Sequence, residues 1–475
     1  MSDTNERLIE ITAEEQAALA RAFESTPSVF NLLSTLRTRR MGKGYRSESG
    51  EEETFSWSSG HQAKQPEGPL SYSSVEEPLP LTEVEEAIIA WAGLGPNGIV
   101  AADIPTRGDL SSLLYWAGRT APGSSNDNSV DLLIISDRGV DLYRPGTARS
   151  KPVEIEGPED YWKVLHWYRT GLQHLSDSRP DVDWSTSPPG THNVRPMGAP
   201  QYNLSRPGST WFLPVGDLGR EWVNLLLSSY HFGGFYLEDT NGNKPAGCDQ
   251  WIRPGFLEVG FPFPIFDELV LMFHTSQVGA VVQNMRLACE ALGLGGWTMG
   301  NYSDDMLLGA YPEVAAGLGF SFMERDLERN PSRTASCLGL EGALEAVCVP
   351  SPWFANGEAA VRHVLESRYS RGGLLSRTAG DEAPLSPFNA ETLERIKENP
   401  KAHVPDWVVD AAVDTIDYLV QEYDIAPVNI SPVRAKFSLQ VHHVDEAYYQ
   451  QFHVGDERPF LITDQIRQHE KDWHS

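Results

Sequence analysis

Apolar residues recur at helical spacing in several stretches of the chain. Ala and Leu between Glu14 and Phe23, then Val29, Leu32, Leu33 and Leu36 at i, i+3, i+4 and i+7, predict that residues 1–45 are mostly helical. Residues 46–80 hold few aliphatic side chains among Ser, Glu, Gly and Pro and read as a long loop. Thr82 followed three residues later by Glu85 has the spacing of a capping box, so a helix is expected from there through Ile88, Ile89 and Trp91 to a stop at Gly93. Asp109 to Gly118 predicts a further helix. Val130 to Ile135 is a nearly continuous apolar run, the pattern of a strand covered on both faces. Asp137-Arg138-Gly139 turns the chain, and Val140 and Leu142 bring it back as the second strand of a hairpin.

Residues 144–210 are rich in Pro, Gly, Ser and Asp around one aromatic, helix-like piece from Tyr161 to Leu175, and read as an insertion. Leu218 to Tyr230 predicts a helix, and the Gly, Pro and Phe of residues 253–264 an irregular segment. The strongest periodic signal follows. Val278, Val281, Val282, Met285, Ala288, Cys289 and Leu292 form one apolar stripe, ended by Gly293-Leu294-Gly295-Gly296. A strand-like run at 342–349, a helix at 357–369, a polar linker at 376–400, a helix from Trp407 to Tyr423 and a His-rich end complete the chain, with no repeat at a fixed period.

Composition changes this picture in one respect. A 40% hydrophobic, 22% charged chain of 475 residues has ample material for a core. The 38 basic residues are outweighed by 66 acidic ones, for a formal net charge of −28. Such a chain repels phosphate backbones and anionic lipid heads, so neither nucleic acid nor membrane is expected as a partner. Four cysteines with no C-x-x-C spacing argue against a disulfide framework or zinc ribbon. The acidic start lacks an apolar signal-like region, and no uninterrupted apolar run reaches the ~18 residues of a span. A cytoplasmic, reducing location is expected.

Against that negative background, Arg37, Arg39, Arg40, Lys43 and Arg46 crowd five cations into ten residues, with Gly42 and Gly44 among them. Guanidinium forks beside glycine suit a phosphate, whereas the same residues also suit a solvated helix end. Gly93-Leu94-Gly95-Pro96-Asn97-Gly98 matches G-x-G-x-x-G, but a helix precedes it where a dinucleotide site needs a strand, so these glycines read as a helix end. Ala121-Pro122-Gly123-Ser124-Ser125-Asn126 offers small polar groups on a loop before the buried strand. Cys289 lies on the apolar stripe and would be a poor thiolate; Cys248, beside Gly247 and Asp249, is expected to be exposed. Five of the 13 histidines (His442, His443, His453, His469 and His474) fall in the last 34 residues, but no pair has H-E-x-x-H spacing, so buried, hydrogen-bonded histidines are expected rather than a metal site.

The order of these stretches is more specific than any one of them. A basic cluster after an N-terminal helix, a helix, A-P-G-S-S-N, a buried strand and, much later, Q-N-x-x-L-A-x-x-A-L-G-L-G-G (Gln283–Gly296) resemble the flavin-dependent nitroreductase superfamily, nearest its thiazoline/oxazoline dehydrogenase branch. The resemblance covers about 28–145 and 205–375. It implies an α+β fold with a central, mainly antiparallel sheet flanked by helices, an insertion and a C-terminal extension. It divides the chain into an N-terminal helical extension (1–27), a flavin domain (28–375, insertion about 146–204) and a linker with a His-rich extension (376–475). It implies a homodimer with FMN at the interface, NAD(P)H as a reductant and a small-molecule substrate. Carried over by position, Arg39, Arg40 and Lys43 would hold the phosphate. Ser124, Ser125 and Asn126 would face the flavin from the partner, and Gly295 and Gly296 would set backbone N–H groups near its ring. Arg37 is an additional candidate. Met41 and Gly123 stand where the family pattern has Ser, so a non-catalytic dimer that keeps the fold is the alternative. Tyr302, Asp304 and Asp305 lie just past the Gly segment as neighbours of the expected site.

Overall fold

The computed structural model describes residues 10–37, 40–44, 69–70, 72–101, 115–123, 128–144, 155–180, 206–300, 302–313, 316–330, 335–367, 391, 394–395, 398, 403–453 and 462–473. Its first elements are α1 (Ala13–Glu24), α2 (Val29–Thr35) and α3 (Glu83–Leu94). The expected capping box starts α3. Thr82 Oγ1 accepts from the Glu85 amide at 3.3 Å, and Glu85 Oε2 accepts from the Thr82 amide at 2.6 Å. The chain leaves α3 at Gly95 and enters β1 (Pro96–Ala101), which pairs with β2 (Tyr115–Arg119). The G-x-G-x-x-G stretch therefore runs from helix to strand, the reverse of a dinucleotide site. The second half of the helix expected over Asp109–Gly118 is instead the strand β2, and residues 109–114 lie outside the described residues.

The central sheet begins with the predicted hairpin, β3 (Val130–Ser136) and β4 (Gly139–Tyr143). Gly139, at φ +120°, makes the tight return, where a side chain would run into the Ser176 carbonyl. After α4 (Trp162–Gly171), β5 (Leu172–Ser176) joins the free edge of β4. Residues expected to be an insertion thus supply a strand of the main sheet and a helix whose Val164, Leu165 and Tyr168 are buried in its core. The polar composition of the flanks hid this, because the buried aromatic side chains are few and close together.

Next come β6 (Thr210–Asp217), α5 (Leu218–Ser228) and the 30-residue α6 (Phe263–Leu292). The helix begins inside the segment expected to be irregular, with Pro264 in its first turn, where the missing N–H costs nothing. It ends at Gly293, φ +77°, with the Leu294 amide on the Cys289 carbonyl at 2.8 Å. β7 (Gly295–Met299) follows at once. The C-terminal part then contributes α7 (Asp406–Tyr423), β8 (Val433–Arg434), β9 (Ser438–His442), α8 (Glu446–Phe452) and α9 (Asp464–Trp473).

The sheet order is β7-β9-β6-β3-β4-β5, with β8 also on β6, and every pairing in it is antiparallel. The fold is α+β. Side-chain alternation places Leu132 and Ile134 of β3 in one core with α3 and the Val278–Leu292 stripe of α6. Leu133 and Ile135 enter a second core with Met306, Leu307 and Val433. The first half of α6 (Phe263, Phe266, Val270) enters a third core with α5, α7 and the helix Gly357–Ser367. β9 lies inside the sheet and α7 inside a core, so the stretch after residue 400 is part of the body rather than an appended extension. By length and composition α6 alone among the described helices is apolar enough to cross a membrane. Here it is the central core helix, and it buries Asp267, Gln277 and Glu290.

Candidate functional site

The basic stretch follows α2 and is laid down as a strap. Gly42 forms an antiparallel bridge with Val444, the Lys43 amide donates to the His443 carbonyl at 2.9 Å, and the Asp445 amide donates to the Met41 carbonyl at 2.9 Å. The Met41 amide donates to the Tyr449 hydroxyl at 2.5 Å, and its side chain packs with Val444, Tyr449, Ile462 and Ile466. Arg40 is 3% exposed. Its two terminal nitrogens reach Glu290 at 2.7 and 3.1 Å, and one also donates to the Thr35 carbonyl at 3.0 Å. Lys43 Nζ lies 2.5 Å from Glu470 on α9. Arg37 donates to the carbonyl of Leu36 at 3.2 Å at the end of α2. Arg39 lies outside the described residues.

A phosphate needs cations whose charge is not already balanced. Arg40 is bound to a carboxylate through both arms of its fork, and Lys43 is ion-paired, so as placed these two residues do not fit an FMN phosphate. Their chemistry here is to join the strap to α6 and α9. Sequence gave no sign of this, since Glu290 and Glu470 are far along the chain from the cations they neutralise.

Gly295 and Gly296 open β7 rather than a loop, paired with His442 and Val441 of β9. Among the described residues β7 is an edge of the central sheet. A side chain on Gly295 would stand 2.5 Å from His442 Cε1, and one on Gly42 would stand 2.7 Å from His442 Nδ1. The two glycine segments thus close on the same imidazole. The Ser124, Ser125 and Asn126 positions lie outside the described residues, but residues on either side of them touch α6. Asn284 donates to the Thr120 carbonyl at 2.9 Å, and Gln277 donates to Asn128 at 3.3 Å. The three stretches therefore all meet one helix between Gln277 and Glu290.

Past β7, Tyr302 is buried with its hydroxyl on the Ala435 carbonyl at 2.7 Å. Asp304 receives Arg434 at 2.6 Å. Burial works to raise its pKa, but the Arg434 guanidinium more than offsets that and holds the carboxyl below its ordinary value. All four cysteines are free and buried, Cys248 included, against the exposure expected of it. Burial first, with the nearby Asp249 charge, pushes the Cys248 thiol up to about 11, despite hydrogen bonds from Thr415 and Tyr230.

Two tail histidines meet a residue the sequence assigned only to a cap. Glu85, His443 and His469, all buried, bring one ligand atom each to within 4.8 Å of one another. His469 Nε2 lies 2.6 Å from Glu85 Oε1, and the two imidazole centroids are 5.4 Å apart. His469 stacks on Trp473 at 5.2 Å. The clustering of histidines in the tail was the available signal. Glu85, more than three hundred residues earlier, carried none.

No family model matches the chain, and no curated protein does. Among solved structures, one from Ralstonia eutropha JMP134 with a provisional nitroreductase description is 15% identical, over 60% of this chain and 75% of that one, with a TM-score of 0.28. That score is too low to carry an argument about activity.

Proposed function

We propose that the protein is a flavin-dependent oxidoreductase of the nitroreductase type, working as a homodimer. The observation that supports this reading is the meeting of the strap at 40–44, of Thr120 and Asn128, and of Gly296 with α6 between Gln277 and Glu290. In this reading Arg39, outside the described residues, and Arg37, which also bonds the Ser34 and Leu36 carbonyls, are the cations beside the phosphate, Arg40 and Lys43 being ion-paired with carboxylates. A ring would lie along the open edge of β7 beside Gly295 and Gly296, since the space a Gly295 side chain would take is filled by His442. A bound flavin would supply hydride transfer between NAD(P)H or an organic substrate and an electron-poor acceptor. The chain's part is to position it and to limit access.

The dimer reading rests on α2. Val29, Phe30 and Leu33 are 59%, 84% and 51% exposed on the helix that leads into the strap, an apolar face that a second copy would cover. Phe30→Glu is expected to yield monomer by light scattering; an unchanged dimer would move the interface elsewhere. For the cofactor, the purified protein is expected to show flavin bands, or to gain them on adding FMN, and Arg37→Ala with Arg39→Ala to weaken retention. A colourless protein that takes up no FMN refutes the reading.

A second reading is favoured by the Arg40–Glu290 pair, namely a nitroreductase-like scaffold that binds no flavin. It predicts a dimer that neither NADH nor NADPH reduces.

A further inference from the structure

We infer that Glu85, His443 and His469 form a binding site for one divalent first-row transition-metal ion of the zinc type, and that the ion pins α9 to α3. The inference is independent of the flavin reading.

The donor set comes first. Two imidazoles and one carboxylate are the ligands such ions prefer, and three protein ligands leave a fourth position for water. Each ligand comes from a different element: Glu85 from the first turn of α3, His443 from the residue after β9, His469 from α9. Their relative exposures are 0%, 1% and 3%. A tetrahedral ion with ligands at about 2.1 Å holds its donor atoms roughly 3.4 Å apart. The cluster already confines them to 4.8 Å, so closing on an ion draws the donors together by roughly 1 Å.

The supporting groups are also those of a metal site. Glu85 Oε2 is fixed by the Thr82 amide at 2.6 Å and the Thr82 hydroxyl at 2.8 Å. That leaves Oε1 turned toward His469. The Glu470 carboxylate stands 3.9 Å from His443 Nδ1 and is itself held by Lys43. At 3.9 Å this is an electrostatic neighbour rather than a hydrogen bond; on metal binding Glu470 would be within reach to accept a hydrogen bond from the second nitrogen of His443. The strap that the sequence suggested for phosphate thus ends at the outer layer of this cluster.

The test uses the untagged full-length protein, stripped with chelator and titrated with Co2+ alone, then with Zn2+ in competition. One equivalent per chain is expected, with the visible bands of tetrahedral cobalt bleached by zinc, and a rise in Tm on metal addition. Glu85→Gln keeps the cap, because Gln serves at that position. It should lower Co2+ affinity by at least about tenfold, as should His443→Ala. Circular dichroism confirms that each variant is folded, and Glu85→Gln decides the matter if His443→Ala is not. His474→Ala should bind as the parent does. Absence of saturable 1:1 uptake overturns the site, as does unchanged affinity in Glu85→Gln. Loss of binding in His474→Ala alone would move the ion to the tail and overturn it equally.

Discussion

The Arg40–Glu290 pair and the Glu85–His443–His469 cluster each place a carboxylate in the interior, and each joins a helix to a segment remote in sequence. They differ in what the partner can do. The guanidinium has only donors, so once both arms are on Glu290 the corner is chemically closed. An imidazole has a donor and a lone pair, so the same carboxylate beside two of them can share a proton or share a cation. A buried charge alone therefore says little about function; the partner's remaining valence says more.

The comparison breaks most visibly at the closed corner. Arg40→Met leaves Glu290 buried without its cation and should cost about 3–5 kcal/mol in denaturant unfolding. Adding Glu290→Leu should restore much of that. An Arg40→Met protein of parental stability would mean that the pair contributes nothing and that Arg40 is available for an anion.

Asp267 sharpens the middle ground, since its partners are neutral donors: Trp222 Nε1 at 2.7 Å and the Asn429 amide and side chain at 2.8 and 3.1 Å. Burial raises its pKa from 3.8 to about 6, against the lowering effect of those hydrogen bonds. Between these values the native state keeps a proton that the unfolded chain has released. The stability it contributes is therefore full below pH 3.8 and lost as pH rises through 6, about 3 kcal/mol in all. Asp267→Asn should flatten the unfolding profile across pH 4–6; an unchanged slope would place the titration elsewhere.

At the open corner, Glu85→Gln without metal should cost only about 1 kcal/mol, one hydrogen bond to His469, because the cap survives. A loss several times larger would make this corner as closed as the first. On the surface, Arg362 and Glu358 make the same kind of ion pair at 2.8 Å in water, and Arg362→Ala should change stability by no more than about 0.5 kcal/mol.

Local signals in the sequence were legible where the pattern was self-contained. The Thr82–Glu85 box, the Val130–Leu142 hairpin and the α6 stripe each sit within one helix or one hairpin, and each appears where the sequence predicts it. Strand β9 was invisible. Its Ser438 and Gln440 are polar yet buried, satisfied by the Met299 carbonyl and the Ser209 hydroxyl. No count of apolar residues identifies such a strand. The pairings of Arg40 with Glu290, and of Glu85 with His469 beyond its cap, were unreadable for a related reason. A residue type states what bonds it can make, and only the fold states which partner arrives.

The placement of β9 has a consequence for how the molecule is made. It pairs Leu439 with Phe212 on one side and with Thr298 on the other, so among the described residues β7 joins the rest of the central sheet through a segment made late. On the ribosome, β6 and β7 wait with unpaired edges while well over a hundred residues are added after β7. Such edges recruit strands from other chains. Release or premature stops before residue 438 should therefore yield aggregates, measurable by light scattering of the truncated chain.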